Sequence, residues 1–295
     1  MSPGFAIEPI VNHTCLLGEG PVWDTKRKIV CWVDILNGEI HEYSPGNKTH
    51  HTIHVHQMIG SIALCTNGQY LAALQHGFAF VNRLTGAVNM ISDPESHLPN
   101  NRFNEGKCDP AGRFWSGTMS LSEDKGAGNV YILRDKLDHS KVIEGVSISN
   151  GLSWTKNNKV LYYIDTPTHN VVAYDFDIDS GGICNKRNVI SIDAKEGFPD
   201  GMTIDNEDKL WIAHWDGWCI SRWDPEKGEK LMEIIMPVAR VTSCTFGGDN
   251  YKDLFITSAC IGLSDEALQT QPLAGSLFVI RDCGYTGLPA VSFKL

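Results

Sequence analysis

Along this chain of 295 residues, short apolar runs bounded by turn-forming residues return at a near-constant interval. Six of them open at Val30, Leu71, Phe114, Leu161, Leu210 and Leu254, roughly 41 to 49 residues apart, the period of propeller blades and related all-β repeats. Ten or eleven residues before each run, in constant phase, stands a polar residue: Glu19, Ser61, Asn104, Asn150, Asp200 and Ser243. The fifth unit shows the inner pattern. Gly201–Ile204 leads into the turn residues Asp205-Asn206-Glu207-Asp208, then Leu210–Ala213, then Cys219–Trp223, then the turn Asp224-Pro225-Glu226-Lys227-Gly228, and finally Lys230 to Met236. Short β-rich runs between clusters of Gly, Pro, Asn and Asp are strand and turn signals, and no stretch carries a long amphipathic helix. The pattern predicts one all-β domain over residues 1–295, a six-bladed β-propeller with four antiparallel strands per blade. The last unit is one strand short, and Ala6 to Val11 is expected to complete it and close the ring. Because the first strand of each blade lies nearest the axis, the six polar residues would meet around a central channel.

A hydrophobic fraction of 42% and a charged fraction of 20% fit a globular chain with a substantial core. The formal charge of -10 argues against nucleic acid, whose phosphates need a basic face. The start, Met1-Ser2-Pro3-Gly4-Phe5-Ala6, lacks the basic flank and apolar run of a secretory signal, and no apolar segment reaches membrane-spanning length. Nine cysteines, odd in number, scattered and without a Cys-x-x-Cys pair, read as free thiols rather than a disulfide framework. Together these features lead to the expectation of a cytoplasmic protein without membrane or nucleic-acid partners; a monomer or weak homodimer is expected besides.

The ring offers carboxylate, amide and hydroxyl oxygens and no sulfur or imidazole, a set that suits a hard cation. Glu19 and Asp200 would bring the charge, and Asn150 a neutral oxygen. The bland alternative is that these residues only satisfy inner-strand backbone groups or buried water. Two acids in the same phase weigh against it, because without a cation they would repel and one would have to hold a proton.

Gly18-Glu19-Gly20-Pro21-Val22-Trp23, the run from Asn101 to Arg113, Trp115-Ser116-Gly117-Thr118-Met119, Ser149-Asn150-Gly151-Leu152 and Phe198-Pro199-Asp200-Gly201-Met202 resemble, in order and over the whole chain, the motifs of the regucalcin, gluconolactonase and luciferin-regenerating-enzyme family. The resemblance implies one divalent metal in the channel (Ca, Zn, Mn, Mg or Fe) on Glu19, Asn150 and Asp200, substrate contacts from Arg102 and Asn104, and hydrolysis of sugar-acid lactones; for such a reaction Asp200, at the metal edge, is the candidate catalytic base toward the attacking water. Where animal regucalcins have a substrate-holding carboxylate after the Gly-Thr-Met motif, this chain reads Ser120-Leu121-Ser122-Glu123-Asp124. Ser122 falls at that position with Glu123 beside it, and both are substrate-site candidates. Two other readings of the same ring are a non-enzymatic calcium-binding regulator and a hydrolase of another ester class.

Three features look functional and are expected to be structural. Asp175-Phe176-Asp177-Ile178-Asp179-Ser180 imitates an EF-hand loop, but position six is Ser180 rather than Gly and position twelve is Lys186 rather than Glu. His54 and His56 share a strand face that could hold zinc, yet alternation alone makes such pairs, and an exposed outer strand of the first blade is expected there. Trp23, Trp32, Trp115, Trp154 and Trp211 follow the blade phase as core, whereas Trp215 and Trp218 are placed near the channel mouth.

Overall fold

The computed structural model describes residues 4–295 as six four-stranded antiparallel sheets arranged as the blades of a propeller. Blades 1 to 5 each use four consecutive strands, beginning with the inner strands Gly18–Asp24, Ile59–Leu64, Asn101–Cys108, Ser149–Trp154 and Phe198–Ile204. Blade 6 runs from the inner strand Val241–Gly247 through Asp253–Ser258 and Phe278–Ile280, and takes its outermost strand, Glu8–Pro9, from the other end of the chain. Glu8 pairs with Val279 and Pro9 with Phe278, within the segment expected to close the ring. The chain start is thereby fastened to its end.

The burial of each strand follows its radius. Second strands such as Ile29–Asp34 and Tyr70–Leu74 are buried at every residue, because neighbouring blades cover both faces. This is why they read as unbroken apolar runs instead of alternating ones. Outer strands such as Thr49–His54 and Glu229–Ile235 are largely exposed. The five tryptophans in blade phase are buried between sheets, with Trp32, Trp115 and Trp211 almost fully enclosed. Turn carboxylates tie the strands of a blade together: Asp205 Oδ1 accepts from the backbone of Glu207 and Lys209, while its Oδ2 accepts from Trp211 Nε1 at 2.9 Å and Arg222 Nε at 2.8 Å. Asp109 does the same for Ala111, Arg113 and Trp115 in blade 3.

All six inner strands carry a register shift at the same phase, between Glu19 and Val22, Ile59 and Ser61, Phe103 and Gly106, Ser149 and Leu152, Pro199 and Met202, and Val241 and Ser243. A bulge breaks strict alternation and re-aims side chains. Here it is the repeated device that presents the ring residues to the axis.

Two features go beyond the sequence reading. A six-residue helix, Asp265–Thr270, capped by Ser264 Oγ, sits in the long connection within blade 6. The C-terminal segment crosses the floor of the propeller: Gly287 N donates to Tyr251 O, Phe293 pairs with Leu64 and Thr66, and Lys294 N donates to Gly112 O. Asp175 to Gly182 forms the turn between the two outer strands of blade 4, with Asp177 N bonded to Gly182 O and the Asp175 carboxylate held by Asn185 and Arg187. All nine cysteines are free. Among the described residues, no helix is long and apolar enough to cross a membrane.

Candidate functional site

Glu19, Ser61, Asn104, Asn150, Asp200 and Ser243 all lie on inner strands and are all buried. Their contacts run from blade to blade. Arg102 Nη1 donates to Asn104 Oδ1 at 2.7 Å and to Phe103 O at 3.0 Å. Asn104 Nδ2 donates to Ser149 O at 2.9 Å and to Asn150 Oδ1 at 3.2 Å. Asn150 Nδ2 donates to Thr166 Oγ1 at 2.8 Å, and the Thr166 hydroxyl donates to Pro199 O at 2.8 Å, beside Asp200. An amide oxygen has two lone pairs, so Asn150 Oδ1 keeps one for another partner. Ser61 Oγ lies 3.5 Å from Ser116 Oγ, and Ser243 packs against Gly201.

A third carboxylate joins the two that the repeat selected. Glu105 is buried next to Asn104, and its Oε2 has no hydrogen-bond partner among the described residues. A Cβ at position 201 would collide with Ser243 Oγ and stand 2.8 Å from Glu105 Oε2, so the glycine after Asp200 makes room for this packing. Strict alternation would turn Glu105 away from the face that Asn104 presents; the bulge between Phe103 and Gly106 explains why the sequence reading passed over it. Thr166 was missed for a different reason: it belongs to a short 3-10 turn following the second strand of blade 4, outside the repeat phase.

Three buried acids at close quarters leave a clear electrostatic mark. Burial, then repulsion from Glu105, pushes Glu19 up to about 8, against relief from the Gly20 backbone, the Arg102 guanidinium and a hydrogen bond with Asp200. Burial and the charges of Glu19 and Glu105 raise Asp200 well above the usual carboxylate range. Glu105 is also raised by burial, with Lys107 opposing. Arg102 is lowered by burial to about 10 and remains charged at neutral pH, supported by Glu19, Glu123 and Asp200. Convergent acids with an unpartnered buried oxygen and an oxygen-only donor set fit a hard divalent cation, which would replace the shared protons.

Ser122 and Glu123 lie outside this enclosure. Both are exposed, on a loop at the end of the propeller where the inner strands begin, with Ser122 N bonded to Ser120 Oγ and Glu123 in a left-handed conformation at φ 55°. Glu123 is nevertheless near enough to support the charge on Arg102. Trp218 is partly exposed in a loop at this end, while Trp215 lies under the Arg240 guanidinium, 4.7 Å from it. A cavity of about 300 Å³ lies at the opposite end, below the ring, lined by Glu105, Lys107 and Trp154 and floored by Leu288–Val291. Glu19, Asn150 and Asp200 do not line it.

The chain matches the family described as SMP-30/Gluconolactonase/LRE-like region over residues 17–260. It is 38% identical to regucalcin of Danio rerio over 289 residues, covering 97% of this chain and 98% of that protein. Among solved structures, luciferin-regenerating enzyme is similar with a TM-score of 0.93 at 29% identity, over 99% of this chain and 100% of the other. A calcium-binding protein, regucalcin, from Agrobacterium tumefaciens gives 0.94 at 27% identity, over 99% and 98%.

Proposed function

The chain belongs to the SMP-30/gluconolactonase/LRE-like family, and from that premise we propose that it is a divalent-metal-dependent hydrolase that opens sugar-acid lactones. The observation that carries this reading is the convergence of Glu19, Asp200 and Glu105 in an enclosure whose donors are all oxygen, beside a charged Arg102. A hard cation held by Glu19, Asn150 and Asp200 would supply Lewis acidity toward the lactone carbonyl.

The protein's own groups account for the remaining steps. Asp200, as a carboxylate, takes a proton from the water whose oxygen attacks the carbonyl carbon. The acyl bond to the ring oxygen then breaks, and Asp200 returns the proton to that oxygen as the hydroxy acid forms. Arg102 faces this site with a fixed positive charge, suited to a sugar hydroxyl or to negative charge developing on the substrate. Asn104 hydrogen-bonds the substrate while spacing Arg102 from Asn150. Ser122 and Glu123 meet the part of the sugar that projects from the mouth.

Proton release from five- and six-membered aldonolactones by metal-stripped protein, with Ca²⁺, Mg²⁺, Mn²⁺, Zn²⁺ and Fe²⁺ restored singly, tests the reading. Metal-dependent turnover of at least one lactone supports it. The Agrobacterium tumefaciens relative is described as a calcium-binding protein, which favours one second reading, a calcium binder without catalysis; that reading predicts binding without turnover of any lactone.

A further inference from the structure

Away from the channel, the seam where the ring closes holds a second cluster of metal-ligating groups. Strand alternation places Glu39 and His41 on one face of the third strand of blade 1, with Thr52 and His54 paired opposite them on the outer strand. The arm that joins the outer strand of blade 6 to the inner strand of blade 1 lays His13 and Cys15 over that face. Leu16 N and Leu17 N on this arm are anchored by the Asp34 carboxylate at 2.8 and 3.2 Å.

His41 is fully buried, and its Nε2 lies 3.3 Å from Glu39 Oε2; His13 Nε2 lies 3.7 Å from the same oxygen. All three atoms are buried, and none has a hydrogen-bond partner among the described residues. Atoms at the corners of a tetrahedral zinc site with bonds of about 2.1 Å stand about 3.4 Å apart. The observed spacings of 3.3 and 3.7 Å bracket that value. Ligand atoms of Cys15, His13 and His41 also lie within 4.8 Å of one another, as do those of His13, Asp34 and Glu39, so His13 is common to both groups; Cys15 Sγ accepts from Trp32 Nε1 at 3.4 Å. Asp34 is near too, but its oxygens already accept from Leu16, Leu17 and Asn37.

The surroundings orient the imidazole. His41 Nδ1 is 3.1 Å from Thr52 Oγ1 and 3.1 Å from His50 Nε2, partners available to a proton on Nδ1; in that tautomer the Nε2 lone pair faces Glu39. Burial, with the nearby imidazoles of His13, His50 and His54, lowers His41 to about 3, which keeps it neutral as a ligand must be. His54 Nδ1 lies 3.3 Å from Glu39 Oε1 and fixes the other carboxylate oxygen. The pair that sequence alternation suggested is not the centre of the cluster: His56 is exposed and contributes no atom to it.

We propose that His13, Glu39 and His41, with Cys15 at the fourth position, form a zinc site that clips the N-terminal arm to blade 1 and reinforces ring closure. The mixed nitrogen, sulfur and carboxylate set selects a borderline cation such as Zn²⁺, in contrast to the oxygen-only channel. The site is independent of catalysis and of the channel metal.

Zinc titration by calorimetry against metal-stripped Glu19→Gln/Asp200→Asn protein, in which the ring acids are removed, isolates the clip. One Zn²⁺ per chain is expected, together with a rise in Tm of several degrees. Adding His13→Ala, a partly exposed position that should fold, or the near-isosteric Glu39→Gln should weaken zinc binding at least tenfold and remove the Tm rise. No zinc binding by the ring double variant, or binding undiminished by both His13→Ala and Glu39→Gln, would overturn the proposal.

Discussion

The Arg102 guanidinium donates to Asn104 Oδ1 at 2.7 Å, and this one bond fixes which way the Asn104 amide faces. With its oxygen on Arg102, its nitrogen must point to Ser149 O and Asn150 Oδ1. Asn104 therefore couples the Arg102 charge to the Asn150 amide, the groups proposed to face substrate and metal. Asn104→Asp should place a fourth acid in the enclosure and disturb Asn150. Asn104→Ala should lower kcat/KM by roughly 10- to 100-fold through loss of charge-assisted hydrogen bonds, and steady-state kinetics on the best lactone would check it.

Thr166 holds Asn150 from the side opposite Asn104. Thr166→Val keeps the shape and removes the hydroxyl. Loss of an outer partner of this kind typically costs about 10- to 100-fold in metal affinity, so the expected outcome is a weaker metal dependence curve with near-normal kcat at saturating metal. Activity against metal concentration separates the two quantities.

Glu19, raised from 4.5 to about 8 in the metal-free protein, gives a pH dependence with a defined sign. The folded metal-free state binds a proton more tightly than the unfolded chain between these values, so its stability should fall as pH rises from about 4.5 toward 8. Metal binding requires the carboxylate, so affinity should fall as pH drops below about 8, and binding near neutrality should release protons. Calorimetry in buffers of different ionisation enthalpy measures that release. Glu105→Gln, which removes one of the repelling charges, should raise the metal-free Tm and reduce the affinity for metal.

His214 supplies a second pH test. His214 Nδ1 donates to the Glu196 carbonyl at 2.8 Å, so in the neutral imidazole Nε2 accepts from the Ser221 hydroxyl at 2.6 Å, whose oxygen accepts from Trp223 Nε1, also at 2.6 Å. This network suits a neutral imidazole, and burial lowers His214 from 6.5. Its contribution is present above the unfolded value and lost as pH falls below about 6.5. His214→Gln should flatten the fall of Tm between pH 6.5 and 5 relative to the parent.

The blade repeat was legible because each second strand is buried on both faces and each turn is marked by Asp, Asn or Gly. The six inward positions were legible because the bulge recurs in constant phase, even though no single bulge announces itself in the sequence. Glu105 was hidden by that same bulge: reading alternation from Asn104 turns its neighbour outward. The clip at the seam was hidden by distance along the chain, since His13 lies on the arm that follows the Glu8–Pro9 strand of blade 6, whereas Glu39 and His41 lie on the third strand of blade 1. Its two-residue spacing, Glu39 to His41, was a signal, but the neighbouring His54 and His56 showed the same spacing and drew attention to the wrong pair. The floor strap from Gly287 to Lys294 left no pattern because its pairings are isolated bonds to several blades.

The most direct measurement is proton release from a panel of aldonolactones by wild-type protein, Glu19→Gln and Asp200→Asn, each metal-stripped, refilled with one divalent ion at a time, and shown by circular dichroism to be folded. The account predicts metal-dependent hydrolysis by wild type and a loss of at least a thousandfold in Asp200→Asn, with Glu19→Gln losing metal dependence. Full activity in both folded variants would contradict it.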